Sequence, residues 1–182
     1  MNRRQSILAL SAVSGHALFP EVLARFGRAL ASPVDVGAWK PEALSSTQGA
    51  LLEELVETII PATDTPGAKA ARVHVFVDLF LVHCKTASER AAFALGLDAL
   101  ASECRAGYGA DFAAAPSTSR EELLMRLEAA SNPFVGVLKE LTVLGYCTSR
   151  AGATQGLAYA AVPGEYRGCV DLVPGQKGWA TS

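Results

Sequence analysis

Six aliphatic side chains between positions 51 and 60 recur with the period of an α-helix, and this pattern constrains the fold more than any other feature. They lie on one broad helical face and are Leu51, Leu52, Leu55, Val56, Ile59 and Ile60. Glutamates occupy the other side, and Pro61 ends the helix because proline cannot donate the backbone hydrogen bond that the next turn would need. A helix with so wide an apolar face must bury it, so the pattern predicts a packed domain.

Two further helices are predicted after a loop at 62–67. The second runs from about residue 68 to 81, with Val73, Phe76, Val77 and Phe80 pointing inward. The third is capped by Ser88 and reaches about Arg105. Since only a short turn separates them, we expect an antiparallel hairpin.

Start signals mark a fourth and a fifth helix. Ser119-Arg-Glu-Glu122 matches a capping box, in which serine and glutamate side chains bond each other's backbone amides, and it predicts a helix through Ala130. Asn132-Pro133 predicts the start of a helix that reaches about Thr148, since proline suits the first helical position. This last helix is largely apolar, so we expect it at the centre of the domain.

Composition favours helix over sheet throughout the chain. Half of the residues are apolar and 7% are aromatic, with alanine and leucine dominant. A chain of 182 residues can build one sizeable core. We predict an all-α fold: a compact single-domain bundle of about five or six helices over 46–161. An extended lead-in at 32–45 precedes it, and an irregular arm rich in glycine and proline follows at 162–182.

The first 31 residues have the organisation of an export signal. Arg3 and Arg4 precede a modest apolar run, which is too short to span a bilayer and suits a cleavable signal. The adjacent arginines indicate the twin-arginine type, whose receptor is the Tat translocase. Ala29-Leu30-Ala31 is an Ala-x-Ala processing site and predicts a mature chain that starts at Ser32.

The charge of the remaining chain excludes one class of partner. Four of the 16 basic residues but only one of the 18 acidic residues lie in the signal segment. The mature chain therefore carries 12 basic and 17 acidic residues, a net charge of −5. A chain with this net negative charge is not suited to binding phosphate backbones, so we expect no nucleic-acid partner.

The sequence shows no motif for catalysis, for a cofactor or for a metal. Phosphate-binding loops, dinucleotide fingerprints and nucleophile elbows are all missing. His74 and Asp78 are four residues apart and share a helix face, which is typical of a surface His–Asp pair or of a histidine that caps a neighbouring group. The alternative is an independent periplasmic enzyme that uses Asp64, His74 and Asp78. We predict no catalytic, cofactor-binding or metal site in this chain.

The cysteines are Cys84, Cys104, Cys147 and Cys169, and no two form a CxxC pair. About sixteen helical residues would separate Cys84 from Cys104 along the hairpin, roughly 24 Å, which is too far for a disulfide. We expect Cys147 to be a small buried hydrophobe. Cys169, in the arm, is the best candidate for a disulfide, with another cysteine of this chain or with a partner subunit.

An irregular arm that carries aromatic residues is typical of a partner-binding segment. Buried aromatic anchors usually dominate protein interfaces. On that ground we predict four interface aromatics, Tyr146, Tyr159, Tyr166 and Trp179. Core packing is the competing interpretation, above all for Tyr146.

Three segments resemble the gluconate 2-dehydrogenase subunit 3 family, which includes the small (gamma) subunit of bacterial FAD-dependent glucose dehydrogenase. They are Ile60-Pro-Ala-Thr-Asp-Thr-Pro-Gly-Ala68, Leu141-Thr-Val-Leu-Gly-Tyr-Cys-Thr-Ser149 with Gly152-Ala-Thr-Gln155, and Val162-Pro-Gly-Glu-Tyr-Arg-Gly-Cys169. The resemblance spans roughly residues 46 to 180. It departs at Cys147, where a bulky aromatic residue is expected.

The resemblance implies a complex in the periplasm. In that complex a flavoprotein catalytic subunit of the GMC type holds FAD, with an iron–sulfur cluster as a second candidate group, and oxidises a sugar or polyol. A multihaem cytochrome c subunit accepts the electrons. The small subunit binds no cofactor; it carries the export signal and assists maturation and export of the flavoprotein. An alternative role is a structural subunit that tethers the complex to the membrane through an uncleaved N-terminus.

Overall fold

The computed structural model describes residues 39–160, 162, 164, 171 and 174–179. Over those residues the chain is helical and contains no strand, which confirms the predicted all-α class. The helices are α1 (Ser46–Ile59), α2 (Val73–Cys84), α3 (Ala87–Tyr108), α4 (Ser117–Ala129), α5 (Pro133–Thr148) and a π-helical turn (Gly152–Gly156). None of the described helices is both long and apolar enough to cross a membrane.

The centre of the bundle is α1, which packs against all four of the other α-helices. Its predicted stripe faces the core, where Leu52, Leu55 and Val56 are fully buried. The prediction that α5 is central holds only in part: α5 packs against α1, α2 and α4 through its buried side, and its other side is exposed. Apolar content alone does not give the extent of burial, since α5 carries apolar side chains on its exposed side as well as on its buried one.

Helix starts follow local capping rules, although two caps differ from prediction. Ser45 caps α1 in a complete capping box with Gln48, and Asn132 caps α5 by accepting hydrogen bonds from two backbone amides, with Pro133 first in the helix. The cap of α3 is Thr86 with Glu89, and not Ser88. Since α4 begins at Ser117 after Pro116, the predicted box at 119–122 lies inside the helix.

The start of α2 also differs from prediction, by five residues. Arg72 precedes the helix in the left-handed conformation, with φ of 59°. That conformation is unfavourable for a side chain with a Cβ atom and interrupts the helical hydrogen bonds. Residues 68–72 therefore form turns instead of a first helical turn. The left-handed conformation of an arginine cannot be predicted from the sequence.

Candidate partner-binding surface

The loop between α1 and α2, at 60–68, is held by the carboxylate of Glu57. Its Oε1 accepts a hydrogen bond from the amide of Ala62 at 3.0 Å, and its Oε2 accepts one from the amide of Lys69 at 2.7 Å. One side chain thus ties both ends of the loop to the last turn of α1. Sequence reasoning missed Glu57, because it reads as one of several exposed glutamates on an amphipathic helix.

The same end of α1 carries a charged cluster that supports the loop. Glu54 receives Lys69 Nζ at 2.8 Å and Arg120 Nη1 at 3.1 Å. The hydrogen bond from Lys69, followed by the charges of Lys69 and Arg120, lowers the pKa of Glu54 despite its partial burial. The ion pair with Arg120 joins α1 to α4, and the one with Lys69 joins α1 to the end of the loop. The loop is therefore anchored at several points.

Tyr146 of α5 holds the loop from the other side. Its hydroxyl donates to the carbonyl oxygen of Pro66 at 2.8 Å, and its side chain is 8% exposed. The structure therefore places Tyr146 in the core of this chain, the alternative to its predicted role as an interface aromatic. It joins two of the segments that carry the family resemblance.

The chain after α5 turns back around Tyr146. Ser149 Oγ donates to the carbonyl oxygen of Tyr146 at 2.8 Å and accepts from the amide of Gly152 at 2.9 Å. A Cβ atom at Gly152 would lie 2.0 Å from that carbonyl oxygen, and one at Gly156 would lie 3.1 Å from the tyrosine hydroxyl. Glycine is thus needed at 152 for the close turn, and a side chain at 156 would crowd the tyrosine hydroxyl.

Part of the arm returns to the segment that follows this turn. The amide of Ala158 donates to the carbonyl oxygen of Gly178 at 2.8 Å, and Ala158 and Trp179 form a parallel bridge. Lys177 Nζ donates to the carbonyl oxygen of Gln155. The described part of the arm is therefore fastened by the backbone bond, the bridge and the side chain of Lys177.

Three large side chains on this part of the chain are exposed and form what we call the tail patch: Tyr159 (56% exposed), Val162 (86%) and Trp179 (68%). The bridge between Ala158 and Trp179 brings the backbones of these two segments together. Exposed large aromatic side chains are typical of a protein-binding surface. Tyr166 and Cys169, also predicted at the interface, lie outside the described residues, as do Arg3, Arg4, Ala29 and Ala31.

The residues proposed for an independent enzyme are not assembled into a site. Asp78 is fully buried, and its two oxygens accept from the amides of Glu42 and Ala43 at 2.8 and 3.0 Å. His74 is 6% exposed, so the prediction of a surface His–Asp pair is wrong. Burial lowers the pKa of His74 and favours its neutral ring. Asp64 lies in the exposed loop, where it accepts a hydrogen bond from Thr63.

Metal-binding and thiol groups are dispersed over the described residues. No group of three or more His, Cys, Asp or Glu side chains in this part of the chain could hold a metal ion. The three cysteines that the structure describes are free: Cys84 is exposed, Cys104 is buried and Cys147 is half-buried. Cys147 is therefore less buried than predicted, although it still packs against the core.

The close approach of Gly67 to Glu57 gives a test of the loop clamp. A Cβ atom at Gly67 would lie 2.3 Å from Glu57 Oε1 and 2.7 Å from the amide nitrogen of Ala62. We expect Gly67→Ala to lower the free energy of unfolding by about 1–3 kcal/mol, because carboxylate and backbone must both move. The measurement is urea denaturation followed by circular dichroism.

Gly136 provides the matched control for this substitution. It lies within α5, and a Cβ atom there would meet nothing within 4 Å. Gly136→Ala should raise the free energy of unfolding by about 0.5–1 kcal/mol, since alanine favours the helix. If both substitutions had the same effect, the tight clamp at Gly67 would be refuted.

A known family model matches most of this chain. The family model described as Gluconate 2-dehydrogenase subunit 3 matches residues 46–164, which is 119 of the 182 residues. The match covers all five α-helices, the loop at 60–68, Tyr146 and the turn that follows α5. Neither a curated protein nor a solved structure shows significant similarity to this chain.

Proposed function

We propose, from the fact that this chain belongs to the gluconate 2-dehydrogenase subunit 3 family, that it is a non-catalytic accessory subunit of a periplasmic FAD-dependent sugar or polyol dehydrogenase complex. The family name assigns the chain to a dehydrogenase of several subunits. The finer role is to bind the flavoprotein subunit, assist its maturation and supply the twin-arginine signal for its export. A multihaem cytochrome c is the expected electron acceptor of the complex.

The observation that carries this proposal is that the segments that resemble the family are held together by hydrogen bonds. The polar groups of the loop and of the turn after α5 bond to one another and to neighbouring backbone, through Glu57, Tyr146 and Ser149. They build a fixed support, and the side chains of the tail patch are exposed on the segments that continue from it. A support of this kind suits protein recognition, because a rigid surface loses little conformational entropy on binding.

The export role rests on the signal segment together with the nature of the partner. Arg3 and Arg4 stand where a twin-arginine signal requires them. A flavoprotein must fold around its cofactor before export, and the twin-arginine route transports folded proteins. A partner without its own signal would then cross the membrane bound to this chain, and the tail patch is the proposed contact.

Substitution of both signal arginines tests the export role. With Arg3→Lys and Arg4→Lys together, we expect both this chain and the flavoprotein to remain in the cytoplasm, measured by fractionation and immunoblotting. The matched control is Arg25→Lys with Arg28→Lys, which changes two other arginines of the segment and should leave export intact. If the flavoprotein still reached the periplasm when the first pair was changed, the escort role would be wrong.

N-terminal sequencing of the exported chain separates this role from membrane tethering. A mature chain that starts at Ser32 fits a cleaved signal. A chain that retained Arg3 and Arg4 in the membrane fraction would instead indicate the tethering subunit considered above.

A further inference from the structure

The described end of the arm, residues 174–179, lies beside the turn that follows α5, and we call it the strap. All six of its residues are exposed, and Trp179 is 68% exposed. Burial against the core therefore contributes little to holding the strap. Its position depends mainly on polar contacts with residues 155–158.

The turn that receives the strap offers a carbonyl oxygen to it. The amide of Leu157 donates to the carbonyl oxygen of Gly152 at 2.9 Å and closes the π-helical turn Gly152–Gly156. The last carbonyl groups of a helical segment have no amide partner within it. The carbonyl oxygen of Gln155 is in this position, and a lysine side chain is a suitable donor for it.

A tight turn directs the chain into the strap. Pro174 and Gly175 form this turn, and Gly175 has a φ of 78°. A proline followed by a glycine with positive φ is the residue pattern of a type II turn. Lys177 follows two residues later, so the turn and the contact that it makes belong to one short segment.

Three contacts then join the strap to the chain after α5. Lys177 Nζ donates to the carbonyl oxygen of Gln155. The carbonyl oxygen of Gly178 accepts from the amide of Ala158 at 2.8 Å, and Trp179 forms the parallel bridge with Ala158. The contact of Lys177 carries a charge, and such hydrogen bonds are stronger than those between neutral groups.

A segment held in this way can open while the rest of the domain stays folded. Exposed contacts exchange readily with water, and segments with little buried apolar surface are the first to open. In the closed strap the bridge holds Trp179 beside the segment that carries Tyr159. In the open strap these two parts of the tail patch are not held together. A partner that contacts both binds the closed strap better, because less conformational entropy is lost.

We propose that the strap is a conformational device that presents the tail patch: Lys177 holds it closed, and the flavoprotein subunit binds the tail patch in this closed form. The proposal rests on the proposed function, which supplies the partner. Lys177 is a positioning residue in this scheme, since it acts through the placement of Trp179.

Amide hydrogen exchange of the full chain tests the strap without the partner. The amide of Ala158 is the reporter, because it bonds the strap directly. We expect Lys177→Met to speed its exchange about tenfold, since a hydrogen bond from a charged group commonly contributes at least that factor. Lys177→Arg keeps a cationic donor and should preserve slow exchange. Lys139→Met removes the same charge from α5 and should have no effect at Ala158.

Two glycine substitutions test the turn before the strap. Gly175→Ala places a Cβ atom on a backbone with positive φ, so it should also speed exchange at Ala158. Gly178→Ala is the matched control. Its φ is not in the positive region, and a Cβ atom there would lie 3.6 Å from Leu157 Cδ2, an ordinary contact. Equal exchange at Ala158 in wild type, Lys177→Met and Gly175→Ala would overturn the proposal.

Capture of the flavoprotein connects the strap with the partner. The full chain and the flavoprotein are co-expressed, the chain is captured by an affinity tag, and bound flavin is measured by its absorbance. We expect Lys177→Met and Gly175→Ala each to lower the recovered flavin about tenfold, because apparent affinity falls with the closed fraction. Lys177→Arg and Gly178→Ala should stay near the wild-type recovery. Trp179→Ala removes part of the tail patch itself and should also lower recovery.

The outcomes separate the strap from the proposed function. Wild-type recovery with both Lys177→Met and Gly175→Ala would overturn the proposal, and a loss with Trp179→Ala in the same experiment would leave the proposed function in place. Reduced recovery with Lys177→Met but unchanged exchange at Ala158 would mean that Lys177 contacts the partner directly, which also overturns the proposal. Absence of flavoprotein from the wild-type capture would overturn both.

Discussion

Replacement of Tyr146 by alanine should lower the free energy of unfolding by about 3–5 kcal/mol, the largest stability effect that we expect in this chain. The ring is buried between the loop at 60–68 and the turn after α5, and its removal leaves a cavity that the backbone on either side cannot easily fill. The hydroxyl also bonds the carbonyl oxygen of Pro66. Urea denaturation of the full chain, followed by circular dichroism, measures the change.

Two further variants separate the contributions of Tyr146. Tyr146→Phe keeps the ring and removes only the hydrogen bond to Pro66, so the loss should be about 1 kcal/mol. Tyr159→Ala alters an exposed aromatic residue and should change stability by no more than about 0.5 kcal/mol. If Tyr146→Ala were as mild as Tyr159→Ala, Tyr146 would not be the link between the motif segments.

Asp78→Ala should have the second largest effect, a loss of about 3 kcal/mol. Its carboxylate is the acceptor for the amides of Glu42 and Ala43, which precede α1, and alanine would leave both donors without a partner. Leu44, next in the chain, is part of the core, so loss of this contact would also loosen its packing. The measurement is again the free energy of unfolding in urea.

The asparagine variant and an exposed aspartate make this test specific. Asp78→Asn retains one acceptor oxygen and should lose roughly half as much stability as Asp78→Ala, with faster amide hydrogen exchange at one of the two residues 42 and 43. Asp64→Ala, in the exposed loop, should stay within about 0.5 kcal/mol of wild type. Unchanged exchange at both amides in Asp78→Ala would contradict the assigned role.

Local patterns predicted the helices well, because the rules behind them are local. The stripe from Leu51 to Ile60, the stop at Pro61 and the start at Asn132 depend on residues within one or two turns of each other. The errors arose where more than one local signal was present. The capping-box pattern at 119–122 predicted a helix start, but the helix begins directly after Pro116. Arg72 adopts a left-handed conformation that is unfavourable for arginine.

The polar contacts were much less predictable, since each joins residues far apart in the chain. From the sequence, Asp78 is predicted to lie on the surface beside His74. In the structure the segment before α1 covers it and donates a backbone hydrogen bond to its carboxylate. Glu57 reads as a solvent-exposed glutamate until the loop folds back onto it. Neither of these hydrogen bonds can be predicted from the spacing of residues in the sequence.

The sequence by itself determined the helical class, the order of the helices and the segments that carry the family resemblance, because each depends on periodicity or on residues adjacent in the chain. Only the tertiary structure decided that Tyr146 lies inside and that Tyr159 and Trp179 lie outside, although all three are aromatic residues near the same end of the chain. It also decided that α1, which is less apolar than α5, packs against all four of the other α-helices. The reason is that burial depends on which surfaces meet across the bundle. The sequence gives the side chains on every side of a helix, but only the packing of the helices decides which side is buried.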